Sequence, residues 1–168
     1  MKNPKALYLC IMEIVLLCVG KTDRTFWADA TEEYAKRLKH YTKFSIHYLS
    51  DVKAHKKTAP TEIKNEEAKN ILQKIKTGDV VYLLDEKGKS FTSITFSKKI
   101  EQHMVSGTHR IVFIIGGAYG FSDSLYQQFP LQICLSQMTF SHQMVRLFFC
   151  EQLYRAFTII NNHPYHNN

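Results

Sequence analysis

The sequence predicts an α/β protein built on one mostly parallel, doubly wound sheet. Two observations carry this. Short apolar runs of strand length recur at Glu13 to Val19, Phe44 to Leu49, Asp79 to Leu84, Arg110 to Ile115 and Leu131 to Leu135. Runs of that kind suit strands covered on both faces. Segments with helical three-and-four spacing alternate with them, as in parallel strands joined by helical crossovers. The 168 residues hold no internal repeat, low-complexity segment or interdomain linker, so one domain is expected.

The elements follow in order. The first twenty residues, "MKNPKALYLCIMEIVLLCVG", imitate a signal peptide, but Glu13 breaks the apolar run and no convincing small-residue cleavage site follows. Residues 1–11 therefore read as a dispensable N-terminal extension with a mis-assigned start. The domain spans residues 12–168, and Met12 opens its first strand. After Thr25, Phe26, Trp27, Ala30, Tyr34, Leu38 and Tyr41 mark one face of a helix. A basic loop with Lys53, His55, Lys56 and Lys57 precedes Pro60. A second helix then buries Ile63, Ile71, Leu72 and Ile75, with Gly78 expected as its C-terminal cap. The third strand ends in "DEKGKSF". A helix lies within Ser93 to Val105, a short one within Ser122 to Phe129, and a long one runs from His142 to Ile160.

Charge narrows the partners. Lys and Arg number 22 against 15 acids, a net charge of +7, which favours a polyanion. No basic amphipathic helix suggests a membrane surface. The four cysteines form no C-x-x-C and no cluster with histidines, so no metal site is expected, and reduced buried thiols fit a cytoplasmic protein.

"IVFIIGGAYGFSDSL" resembles a phosphate-binding loop but fails as one. A dinucleotide fingerprint needs G-x-G-x-x-G after the first strand, and a Walker A loop needs Gly-Lys-Ser/Thr. Here G-G-x-x-G follows the fourth strand. Gly116 and Gly117 instead let backbone approach a ligand at a carboxyl strand end. "LLDEKG" and "LSQMTFSHQ" are expected beside them as uncharged walls, a pocket suited to an apolar, hydrogen-bonding ligand such as adenosine.

The C-terminal helix carries too many apolar residues for one stripe, so burial on more than one side is expected, with a second subunit against it. His142, Arg146, Glu151 and Arg155 stand out against that background. Glu151 and Arg155, four apart, suit either a surface pair or a substrate contact. In the tail "NNHPYHNN", His163, Tyr165 and His166 suit base stacking and proton exchange.

"IGGAYGFSDSL", "LSQMTFSHQMVRLFFCEQLYRAF" and "NNHPYH", in this order, resemble the ribosomal RNA large subunit methyltransferase H family of the SPOUT class. The similarity spans Met12 to His166. It implies a C-terminal trefoil knot, an exception to the avoidance of knots, a homodimer, and S-adenosylmethionine as methyl donor to N3 of a pseudouridine in 23S rRNA of assembled ribosomes. It also implies cofactor binding by Leu84, Gly116, Gly117, Leu135, Ser136, Gln137, Met138, Thr139 and Phe140. Catalytic roles fall to Arg155, Tyr165, His166 and His142. Many relatives carry a basic residue after "PYH", where this chain has Asn167. RNA affinity is expected from Lys53, Lys56, Lys57, Lys87, Lys89, Lys98 and Lys99. Another RNA such as tRNA, or a non-catalytic ribosome-binding role, remains the alternative.

Overall fold

A computed structural model describes residues 12–22, 25–52 and 58–166. Expectations for residues 1–11, for Lys53, His55, Lys56 and Lys57, and for Asn167 lie outside the described residues. The strands are β1 (Glu13–Val19), β2 (Lys43–Leu49), β3 (Val80–Ser90), β4 (Arg110–Ile115) and β5 (Gln132–Cys134). The helices are α1 (Thr25–Leu38), α2 (Pro60–Leu72), α3 (Ser93–Val105), α4 (Asp123–Gln128) and α5 (His142–Ile160). All strand pairs are parallel, in the order β2-β1-β4-β3-β5.

The sheet is covered on both faces, as the apolar strands require. Ile14, Leu16 and Cys18 of β1 point into one core, with α1, α3 and α5. Val15, Leu17 and Val19 point into the other, with α2 and α4. This alternation is the period-two geometry of a strand. Helix α5 is the central helix of its layer, flanked by α1 and α3, with Phe149, Leu153, Ala156 and Phe157 wholly buried. Burial on several sides is thus met within the subunit.

Two boundaries depart from the sequence expectation. Helix α2 stops at Leu72 with Gln73 as its cap. Gly78, at φ +88°, belongs to the next turn, where the Lys76 N–H donates to Asp79 Oδ2 at 2.7 Å. Strand β3 also continues past Leu84 to Ser90. Leu84 and Lys89 both stand opposite Ile133, so residues 85–88 bulge out between them. Gly88 makes the return possible, since a Cβ there would lie 2.6 Å from the Ile133 backbone nitrogen.

Arg146 also breaks the expectation for a helical charge. It is fully buried. Nη2 donates to the carbonyls of Val19 and Gly20 at 2.7 and 2.9 Å, and Nη1 to Thr22 Oγ1 at 2.7 Å. It ties α5 to the end of β1 and is not free to meet a substrate. Arg146→Ala orphans those acceptors and leaves a cavity, so we expect a loss of about 3 kcal/mol, read as a fall in Tm of roughly 6–12 °C. Arg146→Lys recovers only part, because one ammonium cannot reproduce the guanidinium fork.

Candidate functional site

A cleft of about 530 Å³ opens at the carboxyl ends of β3, β4 and β5, where open parallel sheets take ligands. Its floor is built by the glycine turn. Neither Gly116 nor Gly117 has positive φ; only Gly120 of this loop does, at 73°. The first two glycines therefore serve space, not conformation. A Cβ on Gly116 would lie 3.1 Å from the Phe121 ring.

Leu84, Gly116, Gly117, Leu135, Ser136, Met138, Thr139, Phe140 and His142 line this cleft together. Gln137 does not line it. The walls are not uncharged, in correction of the expectation. The bulge of β3 carries Asp85, Glu86 and Lys87 to the rim. Tyr126 donates to Asp85 Oδ2 at 2.6 Å, and burial first, then this bond, raise the phenol's pKa. The fixed carboxylate offers an acceptor for hydroxyl or ammonium groups, beside the apolar Ile115, Ile133 and Val145. The loop holds its own shape. The Met138 N–H donates to Ser136 Oγ at 2.9 Å, and Ser141 caps α5 by accepting from the Met144 N–H.

Arg155, Tyr165 and His166 form a second group at the far end of α5. Arg155 Nη2 pairs with Glu151 Oε1 at 2.5 Å, and Nη1 meets His166 Nδ1 at 3.4 Å. The guanidinium lies over the Tyr165 ring, 4.8 Å from its centroid. The Tyr165 hydroxyl donates to Glu151 Oε1 at 3.2 Å and bonds Tyr34 at 3.1 Å. Burial first, then the bond to Tyr34 and the charge of Glu151, raise the Tyr165 pKa. Tyr165 and His166 are therefore held against α5 and α1. Glu151 and Arg155 are both the ion pair and its anchor. Glu151 stands out beside Arg155 in the sequence, and Asp85 lies in the "LLDEKG" stretch expected next to the glycines; Tyr34 and Tyr126 are not singled out for the site, and Tyr34 carries no local signal.

His142 stands apart from that group. It lines the cleft at the start of α5, and at about 1.5 Å per residue Arg155 is ~20 Å further along the helix. Among the described residues no group of acids, histidines and cysteines is placed to hold a metal. Cys18, Cys134 and Cys150 are buried free thiols; burial pushes Cys18 up to about 12. No described helix is long and apolar enough to cross a membrane.

A doubly wound parallel sheet with a glycine-floored cleft at its strand ends places the protein in the class of open α/β folds, whose ligands are taken at that position. The family model described as "Predicted SPOUT methyltransferase" matches residues 12–166, so the chain belongs to that family and is a methyltransferase. The chain is 48% identical over 156 residues to ribosomal RNA large subunit methyltransferase H of Porphyromonas gingivalis, covering 93% of this chain and 99% of that one. It is 49% identical, with the same coverage, to the protein of that name from Flavobacterium psychrophilum. The solved structure of a probable methylase family protein from Haemophilus influenzae Rd KW20 shares the fold, with a TM-score of 0.51 and 13% identity, over 95% of this chain and 72% of that one.

Proposed function

We propose that this protein transfers a methyl group from S-adenosylmethionine to N3 of a pseudouridine in 23S rRNA, acting on assembled ribosomes in the cytoplasm. The observation that carries the proposal is the glycine-floored cleft of an α/β methyltransferase in a chain nearly half identical, almost end to end, to proteins named for rRNA methylation. The cleft suits the donor. Leu84, Ile115, Ile133 and Leu135 offer an apolar bed for adenine, Gly116 and Gly117 give close access to backbone, and Asp85 and Glu86 supply acceptors at the rim.

S-adenosylmethionine supplies an already activated methyl, so the protein's part is mainly in-line positioning. The acceptor must also give up its N3 proton, to water, which leaves an anionic pyrimidine that methyl transfer neutralises. Tyr165, held protonated, fixes the tail against Glu151 and Tyr34. Arg155 only donates, so His166 Nδ1 accepts and its Nε2 carries the hydrogen in the neutral ring. Arg155 and His166 then form a donor set suited to that anion.

A homodimer with a C-terminal trefoil knot completes the proposal. The tail cluster and the cleft sit at opposite ends of α5, too far apart to serve one base within a protomer. A second copy supplies the missing half, and exposed Phe148 against Phe140, with Met138 and Ile94, gives an apolar surface for it. Lys89, Lys98 and Lys99 rim a second cleft of about 510 Å³ with Phe91 and are suited to RNA phosphates.

The test is incubation with labelled S-adenosylmethionine and either ribosomes or tRNA from cells lacking the gene. Label in 23S rRNA alone is expected. Label in tRNA alone, or in neither, rejects the proposal.

A further inference from the structure

Glu67 belongs to no group described so far. It lies on α2, on the face of the sheet opposite α5, and is 7% exposed. A carboxylate buried to that depth requires hydrogen-bond donors. Its carboxylate lies against the Gly117 backbone, whose N–H favours the charged form. The approach is close: a Cβ built on Gly117 would lie 2.8 Å from Glu67 Oε2 and 2.9 Å from its Cδ. Gly117 lines the cleft and Glu67 does not. The contact therefore runs from a helix behind the sheet, through backbone, to the cleft floor.

A Gly-Gly turn is the most permissive backbone a chain can present, and fixing each residue of it costs about 1–2 kcal/mol of entropy. Neither glycine has a side chain with which to hold itself. On one side Gly116 abuts the Phe121 ring. On the other, Gly117 is held by Glu67. Burial opposes the charge on Glu67, the Gly117 N–H favours it, and nearby Asp51 opposes it again. Among the described residues, Gly117 is the group that favours the charged carboxylate.

We propose that Glu67 is a positioning residue that pins the Gly116–Gly117 turn in the conformation receiving the methyl donor, through the Gly117 amide and without touching the ligand. The inference rests on the S-adenosylmethionine reading given above. It also accounts for glycine at 117, where any side chain would displace the carboxylate.

The experiment measures S-adenosylmethionine affinity by calorimetry, and Tm, for the full-length wild type and three variants. Glu67→Leu removes the acceptor and is expected to weaken Kd about tenfold. Glu67→Gln keeps an oxygen for the same N–H and is expected within about threefold of wild type. Glu67→Asp keeps the charge but shortens the arm, and is expected to resemble Glu67→Leu, so it serves if the leucine variant does not fold. A residue with a purely structural role would lower Tm in these variants and leave the Kd of the folded protein unchanged. Unchanged Kd in Glu67→Leu or Glu67→Asp overturns the inference alone, as does a glutamine variant as weak as the leucine one. A wild type that binds no S-adenosylmethionine overturns the cofactor reading, and this inference with it.

Discussion

Gly116→Val is expected to weaken S-adenosylmethionine binding about 100-fold while leaving the fold intact. The position has ordinary φ, so valine meets no backbone strain. The obstacle is space. The new Cβ lies 3.1 Å from Phe121 Cε1, on the floor of the cleft, and two further methyls extend from it. Relief requires the Phe121 ring to shift, but that ring is itself buried. Displacing either ring or ligand by that much is worth about 2.7 kcal/mol, which is the 100-fold. Gly116→Ala, with the Cβ alone, is expected near tenfold. Calorimetric titration of both variants measures this, with circular dichroism and Tm as the control for folding. Wild-type affinity in the valine variant would remove Gly116 from the cofactor site.

Arg155→Ala is expected to lower kcat for rRNA methylation by roughly 10²–10³-fold and to leave S-adenosylmethionine affinity unchanged. The separation follows from geometry, because Arg155 stands ~15 Å along α5 from Val145, the last residue of the helix that lines the cleft of its own protomer. Its loss removes a cation that pairs with Glu151, covers Tyr165 and meets His166. The tail then loses its anchor and the anionic pyrimidine its donor. Single-turnover kinetics at saturating cofactor separate the step from binding. An alanine variant that loses cofactor affinity with kcat unchanged would reverse the roles assigned to the two ends of α5.

Much of the frame was legible because the sheet is buried on both faces. The apolar runs of β1 and β4 and the bounds of α5 agree with the observed elements residue for residue. Gly116 and Gly117 were legible as a close backbone approach at a strand end, where they do line the cleft, since G-G-x-x-G in the wrong place excluded phosphate loops. What escaped was set by contacts far apart in sequence. Gly88 reads as a turn, yet it closes a bulge against Ile133 and sends Asp85 to the cleft. Arg146 reads as a polar residue standing out on an apolar helix, and nothing local shows that three acceptors near the end of β1 await it. Glu67, four residues from both Ile63 and Ile71, falls by spacing on the apolar face of its helix, but only the placement of the glycine turn against α2 reveals what it meets there. Tyr34 and Tyr165 stand 131 residues apart, and no spacing rule joins them.

The central claim is that the cleft at the strand ends delivers a methyl group to N3 of a pseudouridine. The most direct measurement is mass spectrometry of nucleosides from 23S rRNA, after ribosomes lacking the modification are treated with S-adenosylmethionine and either wild-type protein or Gly116→Val. N3-methylpseudouridine formed by the wild type and not by the variant is the predicted result. A methyl group found on another nucleoside, or equal product from both proteins, would contradict it.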